Sequence, residues 1–123
     1  MMAGKSYCDM LIWQKSMALV TALYELTKTF PQDEKFGLTS QMRRAAVSIP
    51  SNIAEGYGRC SQNEFDRFLH IALSSLFELE TQLQIACNLN YIDVDKTEEF
   101  YLLCNELERM LNSFIRTVQS KKR

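Results

Sequence analysis

The stretch LTSQMRRAAVSIPSNIAEGYG, residues 38–58, places one proline and two glycines in a run of small and apolar residues. Its apolar positions recur at spacings of three and four, as on one face of a helix. These positions are Leu38, Met42, Ala45, Ile49 and Ile53, with Gly56 on the same face. Because the period passes through Pro50 without losing phase, we predict one helix over residues 38–57 that bends at the proline. We expect Gly56 and Gly58 to end this helix in left-handed geometry.

The same helical spacing continues on both sides of this stretch, and strand-like alternation is absent. It predicts further helices over residues 9–29, 62–89 and 95–119. The third helix begins with a capping box from Ser61 to Glu64, and Asp95 to Glu98 has the same form at the start of the fourth. Short links between helices favour antiparallel neighbours. We therefore predict an all-α fold, an antiparallel up-down-up-down four-helix bundle with a proline-kinked second helix, as one domain over residues 1–123.

The net charge of −1 does not by itself require a nucleic-acid partner, but the charge is unevenly distributed. Residues 1–60 carry seven basic and five acidic side chains, a balance of +2. Residues 61–108 carry two against ten, or −8, and residues 109–123 carry five against none, or +5. A basic end on a nearly neutral body is compatible with an anionic partner.

The four cysteines lie far apart without a CxxC pair, and the start MMAGKSYCDM lacks the layout of a signal peptide. No apolar run approaches the roughly 20 residues that cross a bilayer. We expect a reduced, cytoplasmic protein with no membrane partner.

Sites for catalysis are scarce in the sequence. His70 is the only histidine, too few for a di-iron bundle, and it shares a helical face with Asp66 as a solvated pair. The glycines of Gly56-Tyr-Gly58-Arg59 close a helix, whereas those of a phosphate loop open one. We therefore predict no catalytic, cofactor-binding or metal site, and a protein that is not an enzyme.

The helices carry more apolar side chains than one bundle core needs. Some of these residues can lie under loops, but an interface between copies of the chain explains the excess more simply. The candidate interface residues are Val47, Pro50, Ala54, Ile71, Leu73, Phe77 and Leu89.

Two arginines, a third beyond the second helix and the basic tail are the candidates for binding nucleic acid. They are Arg43, Arg44, Arg59, Lys121, Lys122 and Arg123. The alternatives are solvated charge or pairing with Glu55 for the first two, and a frayed helix end for the tail. We expect no platform of aromatic and basic residues of the kind that holds single-stranded RNA.

The blocks over residues 9–59 and 65–92 resemble the four-helix-bundle proteins of the 23S rRNA intervening-sequence family, and the stretch from Leu38 to Arg59 is specific to it. The resemblance implies an up-down bundle and a five-fold ring with a tapered central channel. The family is related to the accessory variability determinant of diversity-generating retroelements, whose members bind nucleic acid and a reverse transcriptase through basic surfaces. It implies no catalytic residues.

These observations predict a non-enzymatic, homo-oligomeric protein, a pentamer by the resemblance, without cofactors. Its expected partners are copies of itself and RNA or a nucleic-acid-processing protein. The alternative is a purely structural oligomer with no nucleic-acid role.

Overall fold

The computed structural model describes residues 6–122, in which four helices and no strands are present. Short 3-10 turns over Ser6–Asp9 and Gln32–Glu34 precede the first and second helices. The helices are α1, Leu11–Thr27; α2, Leu38–Tyr57; α3, Gln62–Asn88; and α4, Val94–Ser120. Each end lies within two residues of the predicted position. The all-α four-helix fold predicted from the periodicity is confirmed.

One hydrophobic core joins all four helices. The predicted apolar faces supply it: Met42, Ile49 and Ile53 of α2 are fully buried, as are Leu69 and Leu76 of α3. Side chains of this kind each contribute about 1.5–3 kcal/mol through removal from water.

Two contacts between helix ends bear on the predicted antiparallel order of the helices, which stays a prediction. Arg43 near the start of α2 binds Thr27 at the end of α1. Gln119 near the end of α4 donates to Asp66 near the start of α3. Such end-to-start contacts are the ones expected when neighbouring helices run in opposite directions.

Pro50 lies inside α2, as predicted from the unbroken period. Its side chain is buried, so the proposal that Pro50 forms part of an outward interface strip is wrong. It lies in a groove with Trp13 and Val20 of α1, which Val47 and Ala54 also line. The bend at Pro50 stays a prediction.

The two glycines act differently from the prediction. Gly58 follows α2 with φ −78°, which is right-handed, so the predicted left-handed end is wrong. The helix ends instead with the Gly58 amide shared between the carbonyls of Ala54 and Glu55. Gly56 is buried inside α2, and a Cβ there would lie 2.7 Å from Cβ of Phe68. Gly56 therefore serves the close approach of α2 and α3.

The starts of α3 and α4 are capped by side chains. Ser61 Oγ accepts from the amide of Glu64 at 3.1 Å, which is one of the two hydrogen bonds of the predicted capping box, whereas the Glu64 carboxylate accepts from Arg67. The predicted start at Asp95 is wrong, because Asp93 is in extended geometry and accepts from the amide of Lys96 at 2.7 Å. Between α3 and α4, Asn90 adopts φ 64° and completes a left-handed end for α3.

Candidate nucleic-acid interface

The structure separates the predicted basic residues into two groups. Arg43 and Arg44 lie in the first half of α2, whereas Arg59 follows its end. At 1.5 Å per residue, the sixteen-residue separation corresponds to about 24 Å along the helix axis. Lys122 lies on the Arg59 side, because it binds Asp66 at the start of α3. Arg123 lies outside the described residues.

The group around Arg59 is compensated by carboxylates. Arg59 donates to Glu55 Oε2 at 2.8 Å and lies 4.9 Å from the centroid of the Phe68 ring. The pairing of Glu55 is therefore with Arg59, not with the alternative partners Arg43 and Arg44. The exposed Lys121 is the residue of this group without an ion pair among residues 6–122.

The carboxylate of Asp66 is contacted by several side chains at this end of the bundle. His70 Nδ1 lies 3.0 Å from Asp66 Oδ1, so the predicted pair is present, and Lys122 and Gln119 also bind the carboxylate. Burial acts to raise the pKa of Asp66, but the hydrogen bonds from Lys122 and Gln119 and the nearby positive charges outweigh it and lower the pKa. The Asp66 carboxylate thus stays charged and fastens the end of α4 to α3.

Arg43 and Arg44 lie in a different setting, the groove between the end of α1 and the start of α2. We call it the α1–α2 groove; its volume is about 460 Å³, within the range of ligand sites. The groove is lined by Tyr24, Lys35, Phe36, Thr39, Ser40, Arg43, Arg44 and Val47.

The Arg43 side chain is held in place by groups that carry no formal charge. Its Nε donates to Thr27 Oγ1 at 2.8 Å, and Nη2 donates to the Tyr24 carbonyl at 3.3 Å. The guanidinium carbon lies 4.5 Å from the centroid of the Tyr24 ring, a cation–π contact. These contacts fix the guanidinium without neutralising it, and they leave part of its donor fork unused.

Phe36 is the most exposed large apolar side chain of the described residues, with 89% of its surface accessible. Lys35 Nζ lies 5.5 Å from the centroid of its ring. The segment that carries both is fixed on one side by Glu34, which accepts from the amide of Leu38 at 3.0 Å and from the Tyr91 hydroxyl at 2.7 Å. The hydrogen bond from the Leu38 amide, followed by that from the Tyr91 hydroxyl, lowers the pKa of Glu34.

Cations elsewhere in the chain mostly have carboxylate partners. Within residues 6–122, ion pairs bind Lys15, Lys28, Arg59, Arg67, Lys96 and Lys122. None of these pairs involves Lys35, Arg43 or Arg44, so the cations lining the α1–α2 groove keep their charge available. The groove places aromatic rings beside basic side chains, which bears on the expectation that the chain has no platform of this kind for single-stranded RNA. The spacing of residues in the sequence did not indicate this groove, because Tyr24 belongs to α1 whereas Arg43 and Arg44 belong to α2.

The remaining interface candidates divide by burial. Val47, Phe77 and Leu89 have 39%, 44% and 49% of their surfaces exposed, whereas Ala54, Ile71 and Leu73 are half-buried. Ile85 adds a further exposed apolar side chain to α3. Among the exposed positions of residues 71–89, Glu78 alone carries a formal charge. We call these exposed positions the outer α3 face.

Groups suited to catalysis are not brought together in the described part of the chain. No three histidine, cysteine or acidic side chains of residues 6–122 are placed to hold a metal ion. Burial, followed by the charges of Glu80 and Glu108, raises the pKa of the Cys104 thiol to about 12, so it is protonated at neutral pH. Across the same residues, the length and apolar character that a membrane-spanning helix needs are found in none of the helices.

Comparison with known proteins gives a matching family and solved structures that this chain resembles. A sequence model described as 23S rRNA-intervening sequence protein matches residues 8–113. A crystal structure from Bacteroides thetaiotaomicron, of a protein with unknown function from the S23 ribosomal protein family, superposes with a TM-score of 0.79. The two chains are 26% identical, and the match covers 85% of this chain and 98% of the other. No match is found among curated protein sequences.

Proposed function

The chain belongs to the family of 23S rRNA-intervening sequence proteins, and on this basis we propose that it is a non-enzymatic, homo-oligomeric protein that binds RNA. The observation that carries the proposal is the set of uncompensated cations in the α1–α2 groove, Lys35, Arg43 and Arg44. Phosphate neutralisation supplies most of the affinity of proteins for nucleic acids. The groove offers cations for that purpose despite a net charge of −1.

Self-association is the second part of the proposal. Phe77, Ile85 and Leu89 expose apolar surface on the outer α3 face, where charges that would oppose burial are nearly absent. An exposed apolar helix face of this kind is typical of a subunit interface. Five copies is the number that the family resemblance implies, and a ring would repeat the α1–α2 groove around its axis.

A role without catalysis fits the state of the reactive groups. The Cys104 thiol is buried and protonated, and His70 is occupied by Asp66 at an exposed site. Neither group lines the α1–α2 groove. The groove supplies positive charge, hydroxyls and aromatic rings, which suit binding.

The proposal is tested by titrating a 23S rRNA fragment that carries an intervening sequence into wild-type protein and into the double variant R43Q/R44Q. We expect wild-type binding to weaken steeply between about 50 and 200 mM salt. Each lost phosphate contact makes the slope of log affinity against log salt concentration shallower by about 1. The slope for the double variant should therefore be shallower than that for wild type by about 2. The measurement is the dissociation constant over a series of salt concentrations.

The matched control is R109Q/R116Q, which removes the same charge from two exposed arginines of α4. It should retain nearly wild-type affinity. Equal losses in both double variants would contradict a specific groove, and no retention of RNA at low salt would contradict RNA binding altogether.

The second candidate function, a purely structural oligomer, is favoured by the outer α3 face alone. That face accounts for assembly without any ligand, and the balance of −8 over residues 61–108 discourages RNA on this part of the chain. A native oligomer that retains no RNA at low salt would support this alternative.

A further inference from the structure

The α1–α2 groove combines three kinds of group that a polynucleotide strand uses together. Lys35, Arg43 and Arg44 supply positive charge, Phe36 and Tyr24 supply aromatic rings, and Ser40 supplies a hydroxyl. In a duplex the faces of the bases are stacked on one another and are not available to a protein side chain. In a single strand they are available, and proteins bind such strands by stacking bases on aromatic rings beside a basic track.

Phe36 has the exposure that this role requires. With 89% of its surface accessible, the ring contributes little to the core, and it belongs to a segment held by Glu34 through Leu38 and Tyr91. A ring on a fixed segment loses less conformational entropy on binding than a ring on a flexible loop. Lys35, 5.5 Å from the ring centroid, can contact a phosphate next to a stacked base.

Arg43 supplies the second fixed point. The contacts of its guanidinium with Thr27 and Tyr24 orient it before any ligand arrives, and its unused N–H groups can bind phosphate oxygens. Each ring of the groove has a cation over one face, but Phe36 is 89% exposed and Tyr24 only 38%, so Phe36 is the ring that is accessible to a base. The groove therefore presents one stacking position beside a row of cations.

No carboxylate of residues 6–122 is among the residues that line the groove. Glu34 keeps its charge but accepts from Leu38 and Tyr91, and Glu25 pairs with Lys28 at 2.8 Å. Asp33 is exposed and is not one of the residues that line the groove. The charge complementarity is thus toward an anionic strand.

We propose that the α1–α2 groove binds an unpaired, single-stranded segment of nucleic acid, with one base stacked on Phe36 and the adjacent phosphates on Lys35, Arg43 and Arg44. The inference rests on the proposed function, RNA binding, and specifies the form of RNA that is bound. It assigns to Phe36 a role in ligand binding that the fold itself does not require of it.

The test compares a labelled twelve-nucleotide single-stranded RNA, a single-stranded DNA of the same sequence and an RNA hairpin stem of matched charge. Their affinities for wild-type protein are measured by fluorescence anisotropy at low salt. We expect the RNA single strand to bind more tightly than the stem. Phe36→Leu should weaken binding of both single strands by about 5- to 100-fold, which corresponds to the loss of one stacked base. Phe36→Tyr, which keeps a ring, should retain the affinity.

The possible results distinguish failure of the proposed stacking on Phe36 from failure of the proposed RNA binding. If Phe36→Leu binds the single strand as well as wild type while R43Q/R44Q does not, stacking on Phe36 is disproved and RNA binding stands. Tighter binding of the stem than of the single strand likewise overturns the inference alone. If no RNA binds at low salt, the proposed function fails and the inference fails with it. A change in native mass caused by Phe36→Leu would assign the ring to contacts between copies and would also overturn the inference.

Discussion

Gly56 illustrates how a single residue without a side chain positions two helices. Its Cα faces α3 so closely that an added Cβ would lie 2.7 Å from Cβ of Phe68 and 3.0 Å from Cδ1 of Phe65. The first of these atoms is attached directly to the backbone of α3, so it cannot move without moving the helix. The absence of a side chain at Gly56 is what allows the first turns of α3 to pack on the last turns of α2.

We predict that Gly56→Ala lowers the free energy of unfolding by about 1–2 kcal/mol. Overpacking of a core costs about 1–3 kcal/mol, and the better helix propensity of alanine offsets up to about 1 kcal/mol of that cost. The measurement is urea unfolding followed by circular dichroism. Gly58→Ala is the control, because its Cβ would lie 3.6 Å from the carbonyl oxygen of Glu55, an ordinary contact, in right-handed geometry. Equal stability of Gly56→Ala and wild type would disprove the close-packing role.

At the scale of the element, the end of α4 depends on Asp66. This carboxylate near the start of α3 receives Gln119 and Lys122 from α4 and His70 from its own helix. The contacts stabilise the charged form, so the pKa of Asp66 is lower in the folded protein than in the unfolded chain. Deprotonation of Asp66 and attachment of the end of α4 are therefore linked.

The linkage predicts a defined pH dependence for Asp66→Asn. Above the unfolded pKa of about 3.9 the charged carboxylate contributes its full stabilisation, and this contribution is lost as the pH falls through the lower folded value. The variant should be less stable than wild type at pH 7, and the difference should shrink as the pH falls below about 4. Urea unfolding at a series of pH values measures the difference in free energy of unfolding between the variant and wild type.

The control is Asp33→Asn, at an exposed carboxylate without an ion pair among the described residues. We expect it to change the free energy of unfolding less than Asp66→Asn does at pH 7. A difference between Asp66→Asn and wild type that stays constant at all pH values would contradict the linkage.

At the scale of the whole molecule, the two surfaces with proposed roles lie on different helices. The outer α3 face exposes Phe77, Ile85 and Leu89 among polar and nearly uncharged positions, whereas the α1–α2 groove is basic and partly aromatic. Assembly through the first would leave the second available in every copy. The proposed oligomer and the proposed RNA site are therefore compatible in one particle.

Assembly is tested by Phe77→Glu, which places a charge on the outer α3 face. We expect the native mass from light scattering to fall toward that of one protomer, because burying an unpaired carboxylate in an interface is unfavourable. Helix content should be unchanged, since Phe77 is 44% exposed and lies outside the core. Leu102→Glu is the control, at a 68% exposed position of α4. A native mass that Phe77→Glu leaves unchanged would show that this face is not the interface.

The sequence by itself determined the helices, their apolar faces and the family. Each of these properties depends on local spacing: Met42, Ile49 and Ile53 recur on one face, and Ser61 with Glu64 caps a helix whatever packs against it. The sequence also indicated Arg43 and Arg44 as candidates, because their charge does not depend on the fold.

Only the tertiary structure decided which of these residues work together. It paired Lys122 with Asp66, and it left Arg43 beside the aromatic ring of Tyr24. It also buried Pro50 and turned Gly56 from a helix terminator into a packing position. The physical reason is that charge compensation, burial and close approach depend on distances between residues far apart in the chain. Such distances are set by how the helices pack, and the period of a single helix does not contain them.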